Sequence, residues 1–439
     1  MKTDILILFE HRSREAENVG LLMSELERRG YKVKASSIFS PLNYFTKSKL
    51  LITPHLYNDD QLVFFAKNFW MSNKKILSLQ YEQVLANGRV QDPNDVHKPS
   101  GQALFAHHVA WGMAQKERYM KCGIPSSHIH VTGCISMDLM RNEFDSYFYD
   151  RDEIAQQFHL DNKKEWVLFI SSFAFAKQTP NDISRQKTLY SEADRFSVLS
   201  DQSYYPILEW LKQAAKDYPQ KLFIYRKHPA EKDDRKLSEI EKECKNFRCI
   251  DTYSMRQWIR VVDRTYNWYS TSLVDAFFGN KPCELLRPVE IPWEFEIDLF
   301  EALPFIKNYQ CLKESLSAEV VSMDKCRKKI EYYYGDAKEK MAYIKLANLC
   351  EDLIERQDCE YDFEYGDSRF NMRNSESILS VFSEWIKIPI FLLFCLFHIK
   401  EHNFMPPKMQ YRLRVFSKDV YGVNSEIERY KERFKNLII

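Results

Sequence analysis

Glycine is scarce in this sequence, and long apolar runs are missing from it. Only 11 of the 439 residues are Gly, whereas aromatic residues make up 14%. This composition excludes a low-complexity or disordered chain, because enough large apolar side chains are present to build cores. The uncharged apolar run 388–397 has ten residues, about half of the roughly 20 that a membrane-spanning helix requires.

Paired cysteines and a strong net charge are also lacking. The ten Cys residues stand singly, without a Cys-x-x-Cys pair, which argues against a structural zinc site and favours free thiols in a reducing compartment. A net charge of +1 supplies no basic field, so we expect no nucleic-acid partner. No signal peptide precedes the first apolar segment, and we therefore expect a cytoplasmic protein.

The first part of the chain alternates short apolar segments with amphipathic ones. Each apolar segment is followed by a polar turn and then by residues at helical spacing, which is typical of parallel α/β sheets. We interpret residues 1–150 as a Rossmann-like domain. Its predicted strands are Ile5–Phe9, Tyr31–Ile38, Leu50–Thr53, Lys75–Leu79, Val109–Gly112 and Ile129–Thr132.

The segment Leu222–Pro288 repeats this alternation and is the clearest part of a second sheet. Its apolar strands are short, and each runs into a polar turn and a helical segment. We assign residues 151–310 to a second Rossmann-like domain. Its predicted strands are Trp166–Ile170, Leu222–Tyr225, Phe247–Ile250, Thr265–Tyr269 and a further strand after Pro282.

Ligands of parallel sheets bind at the carboxyl ends of the strands, and in the second domain these ends carry cations and hydroxyl groups. Such donors can hold a phosphate, particularly where a helix N-terminus follows. Ser and Thr ahead of a helix also serve as simple N-caps, and that alternative stays open for residues 270–272. The residues at these ends are Ser171, Ser172, Arg226, Lys227, His228, Thr252, Ser270, Thr271 and Ser272.

The remaining segments have a different character. Residues 144–165 are predicted to form a connector, and residues 179–203 a long loop of a functional or mobile kind. Charged amphipathic helices follow, and we assign residues 311–439 to a helical extension. Residues 400–439 hold nine Lys or Arg and five Asp or Glu. Together with the apolar run, segment 376–439 is interpreted either as a contact with an anionic inner-membrane surface or as helices packed on the protein body or in a dimer.

Several segments occur in an order that resembles a known family. They are Glu10 to Glu15, Leu79-Gln80-Tyr81-Glu82-Gln83, Val131 to Asp138, Ser171 to Ala176, Arg226 to Glu231, Ser254 to Ile259, and Ser270-Thr271-Ser272 with Asp275 and Lys281-Pro282. Over about residues 5–288 the chain resembles bacterial surface-carbohydrate glycosyltransferases of the GT-B fold. It is similar to the capsule and O-antigen transferases that move Kdo from CMP-Kdo, and more distantly to CDP-glycerol polymerases. Lys227 stands where those relatives often carry Pro, and Asp275 where many GT-B enzymes carry Glu.

The resemblance implies two Rossmann-like domains that face each other across a cleft, the first for the acceptor and the second for the nucleotide-sugar donor. It also implies that Arg14, Glu15 and Gln80 lie on the acceptor side of the site. No cofactor is expected, since the nucleotide sugar, CMP-Kdo in the first place, is a substrate. The implied donor-binding residues are Ser171, Ser172, Arg226, Lys227, His228, Glu231, Ser270, Thr271, Ser272 and Asp275.

Sugar transfer also needs a carboxylate on the acceptor side, as a base or as a nucleophile. Glu82 follows an apolar strand and is our first choice for it. Asp138 and Asp182 come next, the latter because the resembling Kdo transferases carry a catalytic Asp in that general region. No Asp-x-Asp pair ends a strand of the second half. We therefore expect a metal-independent glycosyltransferase in which cationic side chains hold the leaving phosphate.

Three other functions stay open at this point. A CDP-glycerol-type polyol-phosphate transferase would use the same cations and hydroxyl groups for its phosphate. A UDP-sugar epimerase shares the fold and needs no acceptor. A non-catalytic sugar-nucleotide-binding scaffold of a membrane-bound assembly complex would bind nucleotide without turnover.

Overall fold

The computed structural model contains two parallel α/β sheets and a set of C-terminal helices. It describes residues 2–65, 75–187, 190–319, 322–336, 338–356, 378–397 and 406–438.

The first sheet has six parallel strands. They are β1 (Ile5–Phe9), β2 (Val33–Ser37), β3 (Leu50–Thr53), β4 (Lys75–Ser78), β5 (His107–Ala110) and β6 (Ile129–Val131). Their order across the sheet is β2-β1-β3-β4-β5-β6, with Ile5 opposite both Val33 and Leu50. Every residue of β1 is buried, as expected for a central parallel strand covered on both faces. The strand order reverses between β1 and β3, which makes this the switch point of the sheet.

The second sheet also has six parallel strands. They are β7 (Glu165–Ile170), β8 (Lys221–Arg226), β9 (Phe247–Ile250), β10 (Arg264–Asn267), β11 (Cys283–Leu286) and β12 (Phe305–Ile306). Their order is β12-β11-β10-β7-β8-β9, so the switch point lies between β7 and β10. The two sheets and the helical C-terminal region confirm the predicted fold class of two Rossmann-like domains with a helical extension.

Helices connect the strands and form the C-terminal region. They are α1 (Arg12–Arg28), α2 (Asp59–Phe65), α3 (Asn87–Gln91), α4 (Met113–Lys121), α5 (Ile135–Asp138), α6 (Arg151–Phe158), α7 (Pro180–Lys187), α8 (Ala193–Asp217), α9 (Arg235–Glu243), α10 (Met255–Val261), α11 (Ser272–Phe278), α12 (Tyr309–Ser317), α13 (Arg327–Tyr334), α14 (Ala342–Glu355), α15 (Ile378–Leu396), α16 (Pro407–Val415) and α17 (Val423–Phe434). Where the structure describes the chain, no helix is both long enough and apolar enough to cross a bilayer.

The long loop predicted for residues 179–203 is wrong, because most of that segment belongs to α7 and α8. The sequence predicts an amphipathic helix over Tyr204–Asp217, the second part of α8, but apolar side chains alone do not reveal the period of its first part. Its buried face interleaves them with small polar residues, among them Ser197, Ser200 and Ser203. The hydroxyl of Ser200 donates to the carbonyl oxygen of Phe196 at 2.7 Å, so the helix backbone satisfies a polar side chain inside the core.

The chain divides into two compact units, and each unit is built from more than one segment of the sequence. One comprises Met1–Gln83, Pro93–Ser136 and Tyr332–Ile439, and the other comprises Val84–Asp92 and Met137–Glu331. The last helices therefore belong with the first sheet. The predicted domain ranges 1–150, 151–310 and 311–439 stay a prediction about folding domains.

Helix α17 packs along α1, and a glycine sets how closely the two helices approach. A Cβ atom added at Gly20 of α1 would lie 2.9 Å from the Cβ of Tyr430. At the same interface Lys431 Nζ lies 2.8 Å from a carboxylate oxygen of Glu27. For residues 423–434, the interpretation as helices packed on the protein body is thus the one observed; residues 376–377, 398–405 and 439 lie outside the described residues.

Candidate functional site

The carboxyl ends of three neighbouring strands in the first sheet gather titratable side chains. Glu10 follows β1, His55 lies two residues after β3, and Glu82 follows β4. The Nδ1 atom of His55 lies 3.5 Å from an oxygen of Glu10. Burial raises the pKa of Glu10, with the charge of Glu82 as a second cause, and burial lowers the pKa of His55 to about 4. Acidic and basic groups with shifted pKa values therefore meet at the switch point of this sheet.

Glu82 ends a chain of hydrogen-bonded groups that runs into the protein. Its Oε2 atom lies 3.0 Å from Nε2 of His97, and Nδ1 of His97 lies 3.0 Å from Oδ1 of Asp95. The same Asp95 oxygen accepts the backbone N–H of His97 at 2.9 Å. The Glu82 side chain is half exposed, at 51%, whereas those of His97 and Asp95 are 9% and 5% exposed. The exposed carboxylate is therefore held by a buried His–Asp pair.

This arrangement allows a proton to move between a bound molecule and the protein. When Nδ1–H of His97 donates to Asp95, the neutral ring has an unprotonated Nε2 facing Glu82. A proton taken up by Glu82 can then pass to His97, where the Asp95 carboxylate stabilises the imidazolium. The chemistry available at Glu82 is thus general acid and base catalysis.

Two of the predicted acceptor-side residues lie next to Glu82. Nη1 of Arg14 is 3.7 Å from Oε1 of Glu82. Gln80 is buried, has a φ of +50° and donates through Nε2 to the carbonyl oxygen of Glu82 at 3.3 Å. Its Oε1 atom, together with Oγ1 of Thr53 and Oγ of Ser78, has no hydrogen-bond partner in the described part of the chain.

The third acceptor-side residue, Glu15, is buried beneath this group. Its Oε2 atom accepts the backbone N–H of Glu10 at 2.8 Å. Burial nevertheless raises the pKa of Glu15 from 4.5 to about 7, because desolvation of the carboxylate outweighs the hydrogen bonds that stabilise it.

The raised pKa of Glu15 predicts a loss of stability as the pH rises. In the folded protein the Glu15 carboxyl keeps its proton up to about pH 7, whereas in the unfolded chain it loses the proton near pH 4.5. The contribution is fully present below 4.5, declines as the pH rises and is gone above about 7. It amounts to about 3 kcal/mol. The free energy of unfolding can be measured in urea at about pH 4.5 and about pH 8. Between these two pH values it should fall by about 3 kcal/mol less in Glu15→Gln than in the wild type.

A matched control for Glu15 lies on the same helix. Glu17→Gln replaces a half-buried carboxylate of α1 and should leave the wild-type decline with pH unchanged. An equal decline in the wild type and in Glu15→Gln would show that the buried carboxyl does not retain its proton.

In the second sheet, the predicted donor residues follow strands that are neighbours. Ser171 and Ser172 follow β7, Lys227 and His228 follow β8, and residues 270–272 follow β10. The order β10-β7-β8 places all three polar turns side by side at the switch point. The structure therefore brings these predicted residues to one edge of one sheet.

The turn after β8 fixes the ring of His228 by local hydrogen bonds. Its Nδ1 atom accepts the backbone N–H of Ala230 at 3.1 Å, so a neutral ring carries its proton on Nε2. The backbone N–H of His228 donates to Oε2 of Glu231 at 3.3 Å. The hydroxyl of Tyr225 lies 2.9 Å from Oε1 of Glu231 and 3.0 Å from Oγ of Ser171. Buried Glu231 also accepts from Ser171, and thus joins the β7 and β8 turns.

The hydroxyl groups after β10 bond to one another and to the first backbone N–H of α11. Ser270 Oγ donates to Ser272 Oγ at 3.0 Å and accepts the backbone N–H of Ser272 at 3.2 Å. Thr271 occupies the N-cap position of α11 without a capping hydrogen bond, whereas Ser254 caps α10. Ser172 Oγ accepts the backbone N–H of Tyr269 at 3.1 Å. Thr271 is therefore not a side-chain N-cap, whereas Ser270 bonds to the first N–H of α11, and the N-cap alternative stays open for that residue.

Three other predicted donor residues have hydrogen-bond or ion-pair partners within the protein. Arg226 is buried and donates to the carbonyl oxygen of Tyr253 at 2.7 Å. Lys227 is paired with Asp233. Asp275 accepts from Nε of Arg256 at 3.1 Å.

Asp138 and Asp182 belong to the other compact unit, and each has a partner there. Asp138 is buried, with an oxygen 3.9 Å from Nε of Arg141. Asp182 lies on α7 and accepts from the backbone N–H of Thr179 at 3.0 Å. Its bond to Lys232 is the main cause of a lowered pKa, which makes it a weak base. Both placements favour structural roles for these carboxylates.

Sequence reasoning missed His97 and Asp95, the partners of Glu82. They lie in the irregular segment between α3 and β5, fifteen and thirteen positions after Glu82. The spacing Asp95-Val96-His97 was the available signal, since a carboxylate two residues ahead of a His can bond to its ring. Within the described ranges, no group of three or more His, Cys, Asp or Glu has the geometry of a metal site.

Comparison with known proteins identifies the fold. No family model and no curated protein matches the sequence. Among solved structures, the chain is similar to a putative UDP-N-acetylglucosamine 2-epimerase from Listeria monocytogenes, with a TM-score of 0.51 and 13% identity over 83% of this chain and 100% of that one. The chain is also similar to the wall teichoic acid polymerase TagF, with a TM-score of 0.52 and 11% identity over 81% of this chain and 90% of that one. For UDP-GlcNAc 2-epimerase from Neisseria meningitidis bound to UDP-GlcNAc, the TM-score is 0.50 and the identity 14% over 81% of this chain and 99% of that one. The fold is therefore GT-B-like.

Proposed function

We propose that this protein is a glycosyltransferase that moves a sugar from a nucleotide to a hydroxyl group of a glycan acceptor during synthesis of a bacterial surface polysaccharide. The Asp95–His97–Glu82 chain carries the proposal, because it places a proton-accepting carboxylate at the carboxyl edge of a parallel sheet. The structural neighbours, which include a UDP-GlcNAc-bound epimerase and a teichoic acid polymerase, support a sugar-nucleotide enzyme of surface glycan synthesis.

On the acceptor side, Glu82 is the catalytic base. It takes the proton of the acceptor hydroxyl as that oxygen attacks the anomeric carbon of the donor. His97 receives the proton from Glu82, and Asp95 keeps the His97 ring in the tautomer that can accept it. Arg14, 3.7 Å from Glu82, neutralises the carboxylate between turnovers and contacts the acceptor.

On the donor side, the leaving phosphate is held by side chains of the second sheet. His228 donates from Nε2, and the hydroxyl groups of Thr271 and Ser272 donate beside it, while Ser270 orients Ser272. Glu231 is a positioning residue, since it fixes the His228 turn from below. These uncharged donors and the cation of Lys227 take the place of a divalent metal at the developing negative charge.

For the donor itself we propose a CMP-linked ulosonic acid, with CMP-Kdo as the first candidate. The resemblance of the sequence to Kdo transferases supports it. Two alternatives have support of another kind: the likeness to TagF favours a polyol-phosphate transferase that uses CDP-glycerol, and the likeness to the epimerases favours a UDP-sugar enzyme.

Nucleotide binding separates these candidates. Thermal unfolding of the purified protein should shift to higher temperature with CMP and not with CDP, UDP or GDP, because a ligand that binds only the folded state stabilises it by RT ln(1 + [L]/Kd). His228→Ala should abolish the shift. The control variant is His159→Asn. His159 is exposed, lies in the same compact unit as His228 and has a φ of +52°, which Asn tolerates, so this variant should retain the thermal shift with CMP.

Each other outcome identifies an alternative. A shift with CDP alone assigns the polyol-phosphate reaction, and a shift with UDP alone assigns a hexose transferase or an epimerase. A shift with CMP but no product from CMP-Kdo and candidate acceptors assigns the non-catalytic scaffold. The absence of a shift with all four nucleotides contradicts the donor site.

A further inference from the structure

Residues 386–396 of helix α15, the part whose side chains the structure describes, have apolar side chains on both sides of the helix, and only one of these sides is covered. Phe391, together with partly buried Ile388, Phe394 and Cys395, packs against Leu413 and Phe416 of the following helical segment. The opposite side is open to solvent. Its exposed residues are Ile386 at 67%, Ile390 at 38%, Leu393 at 51% and, directly after the helix, Phe397 at 70%.

The exposed residues form a continuous stripe. Their positions are separated by four, three and four residues, which places them on one line along a helix. Leu392 and Leu396 widen the stripe on one side. Segment Pro41–Phe45 contacts α15 and exposes Leu42 and Phe45. A contiguous exposed apolar surface of this kind marks an interaction site.

Basic residues predominate in the sequence next to this stripe, and within the described residues the acids nearest to it in the sequence are Glu384, two positions before Ile386, and the buried Asp419. Residues 386–397 and 406–418 contain five Lys or Arg, namely Lys387, Lys408, Arg412, Arg414 and Lys418, and no Asp or Glu. The whole chain has a net charge of only +1, so the positive charge is concentrated in these segments. An apolar stripe flanked by cations is complementary to a bilayer surface that contains anionic lipids.

We propose that α15 lies in the plane of an anionic phospholipid membrane, with the stripe 386–397 inserted among the acyl chains near the headgroups. One side of the helix is already packed on the protein, so the helix can enter the bilayer by its open side only. A second copy of the chain fits this surface less well. In a symmetric dimer the same basic segments would face each other and repel. The proposal does not depend on the reaction, since membrane binding needs no substrate.

Vesicle binding tests the proposal with the full chain. The protein should sediment with vesicles of phosphatidylcholine and phosphatidylglycerol and not with vesicles of phosphatidylcholine alone. Leu393→Ser with Phe397→Ser should weaken binding by about tenfold for each side chain. Arg412→Gln with Arg414→Gln should weaken it by about fivefold for each charge, and high salt should do the same.

The control variant changes exposed apolar residues elsewhere. Met120→Ser with Val198→Ser, at positions 52% and 56% exposed, should bind vesicles like the wild type. Circular dichroism checks that each variant is folded. Equal binding by the stripe variant and the wild type would overturn the proposal, as would a wild type that binds no vesicles. A wild-type dimer that the stripe variant converts to monomers, without vesicle binding, would assign the surface to a second copy. Deletion of residues 376–439 is a poor test, because it also removes α17, which packs along α1 in the folded protein.

Discussion

Glu82→Gln should lower the turnover of sugar transfer by about 10²- to 10⁴-fold, the usual contribution of a general base, while the KM of the donor changes little. The amide keeps the shape of the side chain and a hydrogen bond to His97, but it cannot accept the proton of the acceptor hydroxyl. The side chain is half exposed, so the thermal midpoint should not change. The measurement is a steady-state assay with the donor that the thermal shifts identify.

Two further variants make this test specific. His97→Asn should cause a similar loss, because it interrupts the same proton path, and its KM should again be close to that of the wild type. Glu117→Gln removes an exposed carboxylate of the same unit that accepts a hydrogen bond from Tyr332 at 2.7 Å, and it should have full activity. If Glu82→Gln keeps turnover within about twofold of the wild type, where a general base would contribute at least a hundredfold, Glu82 is not the base.

Glu231→Ala should lower the free energy of unfolding by about 3–5 kcal/mol, because it leaves two buried hydroxyl groups and one half-buried backbone N–H without their acceptor. Those donors are the hydroxyls of Ser171 and Tyr225 and the backbone N–H of His228. The same change releases the His228 turn, so the affinity for the nucleotide should fall as well. Denaturation followed by Trp fluorescence reports on this unit, because Trp166, Trp258 and Trp268 are fully buried in it.

Tyr225→Phe is the matched comparison for Glu231→Ala. It removes one hydroxyl from the same network and leaves Glu231 bonded to Ser171 and His228, so it should cost only about 1 kcal/mol and leave nucleotide affinity unchanged. A loss of similar size in the two variants would mean that Glu231 does not join the turns. Unchanged affinity in Glu231→Ala would mean that the carboxylate does not position His228.

Local sequence patterns were sufficient for every strand of both sheets except the two-residue edge strand β12, which was not predicted. The run Ile5–Phe9 is apolar at every position because both faces of a central parallel strand are buried, and such a run is recognisable without knowledge of the neighbours. The polar turns after β7, β8 and β10 were recognisable for the same reason, since each follows a buried run directly.

Helix α8 shows where local patterns fail. The face that it buries includes Ser197, Ser200 and Ser203, which a hydrophobic pattern counts as exposed. Whether a Ser is buried depends on the space that the opposing side chains leave and on the carbonyl groups that its hydroxyl can reach. Neither is encoded in the spacing of apolar residues.

The sequence by itself determined the fold class, every strand except β12 and the set of polar residues at the carboxyl ends of the strands, because parallel strands bury both faces and leave their polar turns at one edge. Only the tertiary structure decided which of those residues work together. It joined Glu82 to His97 and Asp95, which lie on a segment without regular structure, and it paired Asp182 with Lys232 and Asp275 with Arg256. A carboxylate becomes a base or a structural partner according to the charges beside it, and those neighbours are fixed by the packing of distant segments.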